Sequence, residues 1–144
     1  GASPPRAATA AKAGGGEEDE GGLAPSEVEK EVGNKWFKKG NYAKAIEHYT
    51  KAIRLDRTVP AYFSNRAMSL LKLQRFAEAE ADANQVLKLD AASVKGLFRR
   101  GCAQEGLGNK AEALADFQQI LELDANNKEA AEKVAALKGG AGTS

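Results

Sequence analysis

From Ser26 to Lys138 apolar and polar residues alternate in short blocks with a helical period. Three of these blocks, Tyr42 to Leu55, Phe76 to Leu89 and Lys110 to Leu123, each close on a Leu-Asp pair. Other helices are predicted between them. Val32, Gly33 and Trp36 form an apolar face in i, i+1, i+4 order, and Leu97, Gly101 and Leu107 continue such a face further on. The breaks fall at Gly40-Asn41, Gln74-Arg75 and Gly108-Asn109. Gly or Asn at such a point accepts the left-handed turn that ends a helix. Pro60 suits a first helical turn, where its missing N–H is no loss.

A longer period lies over the short one. Arg54-Leu55-Asp56, Lys88-Leu89-Asp90 and Glu122-Leu123-Asp124 recur every 34 residues, and so do Ala45, Ala79 and Ala113. Ala52, Val86 and Ile120 keep the same interval. Helix pairs repeating at this length mark tetratricopeptide (TPR) repeats, in the register 26–59, 60–93 and 94–127. Arg57, Ala91 and Ala125 stand where such repeats usually carry Pro, which weakens each stop without shifting the register. Small residues (Gly33, Ala45, Ala67, Ala79, Gly101, Ala113) should let paired helices approach, with Tyr49 and Phe117 filling the space between repeats. Ile46, Ile53, Val86, Leu87 and Leu114 complete the stripe. Residues 128–138 predict a capping helix with Ala131, Val134 and Leu137 turned to the third repeat. The expected fold is all-α: a TPR α-solenoid of three helix-turn-helix repeats plus a C-terminal capping helix, seven helices in all.

Composition changes this picture at the ends. Residues 1–25 are rich in Ala, Gly and Pro, with an acidic cluster from Glu17 to Glu20, and predict a disordered tail. Residues 139–144 read the same way. The stretch from Gly1 to Gly16 faintly resembles a transit peptide, but a solvated tail is the preferred reading. The chain opens on Gly1 rather than Met, so a piece of a longer protein is expected. A net charge of +1 gives no strong pull toward nucleic acid or an anionic membrane. No apolar run is long enough for a membrane span. The single cysteine, Cys102, excludes an intrachain disulfide and suits a reducing, cytoplasmic setting. It reads as a small apolar filler rather than a reactive thiol. His48 is alone, so neither a metal site nor a general base is expected, and nothing implies a cofactor.

In such a solenoid the first helix of each pair lines the concave side. Two pairs of groove positions stand out, Lys30 with Asn34 and Lys95 with Arg99, each spaced i, i+4. Asn65 and Arg99 occupy the same seat in successive repeats. Three cations and two amides suit a carboxylate: Lys and Arg give charge-assisted hydrogen bonds, and Asn adds a neutral donor. Solvated surface lysines are the competing reading, and five positions on three helices weigh against it.

The segments Glu29-Lys30-Glu31-Val32-Gly33-Asn34-Lys35, Ser64-Asn65-Arg66-Ala67 and Val94 to Gly101 resemble the carboxylate-clamp TPR family of heat-shock co-chaperones. The resemblance covers residues 26 to about 138. It implies binding of the C-terminal Glu-Glu-Val-Asp of heat-shock protein 90 or heat-shock protein 70, with Lys30, Asn34, Asn65, Lys95 and Arg99 on the terminal Asp. It also implies Phe37, Met68 and Lys72 as flanking contacts, Phe37 and Met68 at the Val side chain and Lys72 toward upstream acids. Ordinary half-buried packing competes for Phe37 and Met68. The expected protein is thus a non-catalytic, monomeric interaction module. A regulatory domain of a larger phosphatase, ligase or isomerase, or a scaffold reading another partner, are the alternatives.

Overall fold

The computed structural model describes residues 22–143. Every regular element among them is helical: α1 Pro25–Lys38, α2 Tyr42–Leu55, α3 Pro60–Lys72, α4 Phe76–Leu89, α5 Val94–Gly106, α6 Lys110–Leu123 and α7 Lys128–Thr143. The all-α, seven-helix order expected from the sequence holds, and α2, α4 and α6 have the limits its periodicity predicts. The chain divides into two compact units, one ending at Tyr62 and the next beginning at Phe63.

In the first unit α1 and α2 form a hairpin. Gly40 turns the chain at φ +82°, and the Asn41 side chain caps α2 by accepting from the Lys44 N–H at 3.0 Å. The helices meet closely because position 33 has no side chain. A Cβ there would stand 2.6 Å from the Tyr49 ring, inside any tolerable contact. Tyr49 is buried on this surface. Asp56 ends α2 in extended backbone and accepts from both Thr58 N–H (3.0 Å) and Thr58 Oγ1 (2.6 Å). This local turn is the physical content of the recurring Leu-Asp signature. Its Leu55 is 57% exposed, so the leucine is not a core residue.

In the second unit the same solutions recur. Phe117 lies on Gly101, where a Cβ would be 2.6 Å from the ring, and it shares a buried cluster with Ala130 of α7, so it also fills the space between the third repeat and the capping helix. Asp90 and Asp124 accept from the N–H groups of Ala92 and Asn126. Two bidentate ion pairs lock the helix pairs. Arg66 of α3 grips Asp82 of α4 with both bonds at 2.7 Å, and Arg100 of α5 grips Asp116 of α6 at 3.0 and 2.9 Å. Leu97, Ala113, Phe117, Ile120 and Ala130 form a buried cluster, with Cys102, Val134 and Leu137 packed against it.

Three expectations need correction. Ala130, not Ala131, enters the core from α7, because Ala130, Val134 and Leu137 follow i, i+4, i+7 and share one face. Leu107 is the residue capping α5 and is 41% exposed, one step past the point where the helix could turn it inward. Finally, α7 does not stop at Lys138 but runs through Gly139 to Thr143. Glycine costs a helix about 1 kcal/mol against alanine, yet each residue added to a formed helix gains a backbone bond without a new nucleus. The tail expected at residues 1–25 lies outside the described residues up to position 21, and Pro25 already opens α1.

Candidate functional site

Lys30, Asn34 and Phe37 belong to the first unit, where all three sit on α1. Lys30 is half-buried. Its Nζ stands 3.1 Å from Glu27 Oε1 and 3.5 Å from Glu31 Oε2. The hydrogen bond to Glu27 raises its pKa, against the opposing effect of burial. Glu27 is itself held, for its Oε2 accepts from the Tyr62 hydroxyl at 3.0 Å, and that hydroxyl lies 2.9 Å from Ser26 Oγ. One turn along α1, Asn34 Oδ1 accepts from the Tyr49 hydroxyl at 2.6 Å. Burial pushes the Tyr49 and Tyr62 hydroxyls up to about 12, so both stay protonated donors at neutral pH. Phe37 is half-buried with its ring edge-on to Tyr42, centroids 5.1 Å apart.

The other candidates belong to the second unit. Asn65 and Met68 are half-buried on α3, and Lys72 is exposed in its last turn. The Ser69 hydroxyl donates back to the Asn65 carbonyl at 3.3 Å. Lys95 is exposed in the first turn of α5, which Ser93 caps by accepting from the Gly96 N–H at 2.9 Å. Arg99 follows one turn later, and its Nε donates to the Ser64 carbonyl at 3.4 Å. That contact brings the α5 cation to the backbone beside Asn65. Burial lowers the Arg99 pKa from its very high ordinary value, which leaves the guanidinium charged. Chemically, α1 offers an ammonium and an amide and α5 an ammonium and a guanidinium. The cations are donors only and the amide donates through its NH2 side, which is what an anionic oxygen requires.

His48, expected to be solitary, has Nδ1 2.8 Å from Glu29 Oε1 and so ties α2 to α1. Cys102 packs against the Leu97–Phe117 cluster, and burial raises its pKa, away from thiolate chemistry. No group of three or more His, Cys, Asp or Glu able to hold a metal ion occurs among the described residues. No described helix is long and apolar enough to cross a membrane.

The partners of the α1 groups are absent from the sequence reading. Glu27 sits on the same groove stripe as Lys30, and its i, i+3 spacing was the available signal. From sequence Tyr49 reads as packing alone, because an aromatic 15 residues away across a turn carries no sequence mark of a hydrogen bond.

Residues 33–74 match the family described as TPR repeat, and residues 60–93 and 94–127 each match one described as Tetratricopeptide repeat. DnaJ homolog subfamily C member 7 of Mus musculus is 41% identical over 92 residues, 64% of this chain and 19% of its own length. The chain thus spans about a fifth of that curated relative. The first TPR of Spaghetti (RPAP3), solved bound to HSP90 peptide SRMEEVD, matches with TM-score 0.78 at 38% identity, covering 81% of this chain and 93% of that one. The second TPR domain of human RPAP3, solved in complex with HSP70 peptide SGPTIEEVD, matches with TM-score 0.76 at 41% identity, covering 78% and 94%.

Proposed function

We propose that this chain, which belongs to the tetratricopeptide repeat family, is a co-chaperone-type binding module that reads the free C-terminus of heat-shock protein 90 or heat-shock protein 70. The observation that carries this reading is the pair of solved relatives at 38% and 41% identity, each holding a peptide that ends in Glu-Glu-Val-Asp. Lys30, Asn34, Asn65, Lys95 and Arg99 engage the terminal Asp, with its main-chain and side-chain carboxylates. Phe37 and Met68 flank the Val side chain, and Lys72 faces upstream acidic residues. The module performs no chemistry, works as a monomer and acts in the cytoplasm. A second reading follows from the chain's spanning only 19% of a relative's length: the module serves a larger protein whose activity lies outside it.

Preformed helices keep the ordering cost largely on the peptide side, so an affinity on the order of micromolar, near −8 kcal/mol, is expected. Each charge-assisted bond contributes roughly 1.5–3 kcal/mol. Lys95→Ala and Arg99→Ala should therefore each weaken binding about tenfold to a hundredfold, and added salt should weaken it too. The test is calorimetric titration with an acidic peptide ending in Glu-Glu-Val-Asp, once with a free carboxylate and once amidated. Binding of the first and loss with the second supports the clamp. Equal binding of the two, or none, sinks it.

A further inference from the structure

The reading above concerns groups that meet the ligand, and the following inference rests on it. We infer that two buried tyrosine hydroxyls, of Tyr49 and Tyr62, are positioning groups that orient Asn34 and Lys30 for a ligand carboxylate.

An asparagine amide is ambivalent, with an acceptor on one side and donors on the other, and only the donor side suits an anion. Tyr49 resolves the ambiguity. Its hydroxyl donates to Asn34 Oδ1 at 2.6 Å, which turns the oxygen to α2 and the NH2 group away from the hydroxyl. The tyrosine cannot drift, because its ring is wedged on the bare backbone of Gly33 and is 2% exposed. The chain contains its own comparison. At the positions equivalent to Asn34 and Tyr49, the second repeat has Met68 with Ala83 and the third has Cys102 with Phe117. Phe117 packs on Gly101 just as Tyr49 packs on Gly33, so packing alone is satisfied without a hydroxyl. The hydroxyl occurs only where there is an amide to hold.

Lys30 is governed one step further back. Both oxygens of Glu27 are engaged, one by Lys30 Nζ and the other by Tyr62, which is fully buried. A freely rotating glutamate would follow the lysine, whereas one fixed by Tyr62 dictates where the ammonium stands. With Glu31 on another side at 3.5 Å, the flexible four-carbon stem of Lys30 is restrained before any ligand arrives. The ordering cost of that stem is thereby met in folding rather than in binding.

The experiment compares the intact chain with Tyr49→Phe, Tyr62→Phe and Glu27→Gln by calorimetry, using the free-acid and amidated Glu-Glu-Val-Asp peptides. Thermal melts verify that each variant is folded. Losing one hydrogen bond, to a neutral amide for Tyr49 and to the Glu27 carboxylate for Tyr62, should weaken free-acid binding about threefold to tenfold in each tyrosine variant. A merely structural role is separated by double-mutant cycles. Tyr49→Phe should have no further effect on an Asn34→Ala background, and Tyr62→Phe and Glu27→Gln none on Lys30→Ala. If the parent chain discriminates the two peptides and Asn34→Ala and Lys30→Ala weaken binding, yet the tyrosine variants bind unchanged or more tightly, this inference is overturned and the clamp stands. Additive effects in the cycles overturn it likewise. If the parent does not discriminate the peptides, both ideas fall together.

Discussion

Gly33 and Gly101 face aromatic rings, whereas the equivalent Ala67 shares its repeat with Ala83 where the others have Tyr49 and Phe117. The chain thus alternates two ways of filling one space, a bare backbone under a large ring and two methyls together. Gly101→Ala should accordingly cost about 1–3 kcal/mol, as overpacking does, with Phe117→Leu on the same chain recovering part of the loss. Urea melts of the single and double variants test this, and an unchanged Gly101→Ala would refute the wedge. The turn position shows the opposite compromise. Gly40 and Gly108 adopt φ of +82° and +84°, and Gln74 holds the same seat at +60°. Left-handed backbone costs a residue with a Cβ roughly 1 kcal/mol or more, partly offset by the entropy glycine loses on folding. Gln74→Gly should therefore raise the melting temperature slightly, while Gly108→Ala lowers it.

At the scale of helices, the period of 34 made α2, α4 and α6 legible because burial of one face recurs wherever the same surface must be covered. Pairings across a turn were not legible. Arg66 and Arg100 keep the repeat interval, as do Asp82 and Asp116, yet nothing in the period says that these residues meet. In the first repeat Val32 and His48 stand in those seats, and His48 turns to Glu29 instead. Both aspartates are nearly buried while their arginine partners keep some solvent access, at 23% and 30% side-chain exposure. Removing one carboxylate strands a guanidinium that can still reach water, so the cost falls below that of a fully buried pair. We expect Asp116→Ala to destabilise by about 1–3 kcal/mol and Asp82→Ala by a similar amount, measured by denaturant unfolding. A cost under a few tenths would mean the pairs are surface ornaments.

For the whole molecule, the two tyrosines that serve the candidate site also make stability depend on alkaline pH. Burial pushes Tyr49 and Tyr62 up to about 12, against 10.0 for an ordinary tyrosine. Between those values the unfolded chain has released protons that the folded chain retains. The folded state therefore binds more protons, and unfolding free energy falls with rising pH in that window. The contribution is fully present below pH 10 and is lost on passing through about 12. Lys30, whose pKa is raised by its hydrogen bond to Glu27, acts in the same direction at the upper end. Thermal melts across the alkaline range should thus decline steeply, and phenolate absorbance should show tyrosines titrating late and together with unfolding. Tyr49→Phe and Tyr62→Phe should each remove part of the slope while leaving the other part in place, because the two hydroxyls contact different groups on α1. A slope that survives both substitutions would assign the alkaline transition to the other groups whose pKa is raised on folding, Cys102 and Lys30 among them.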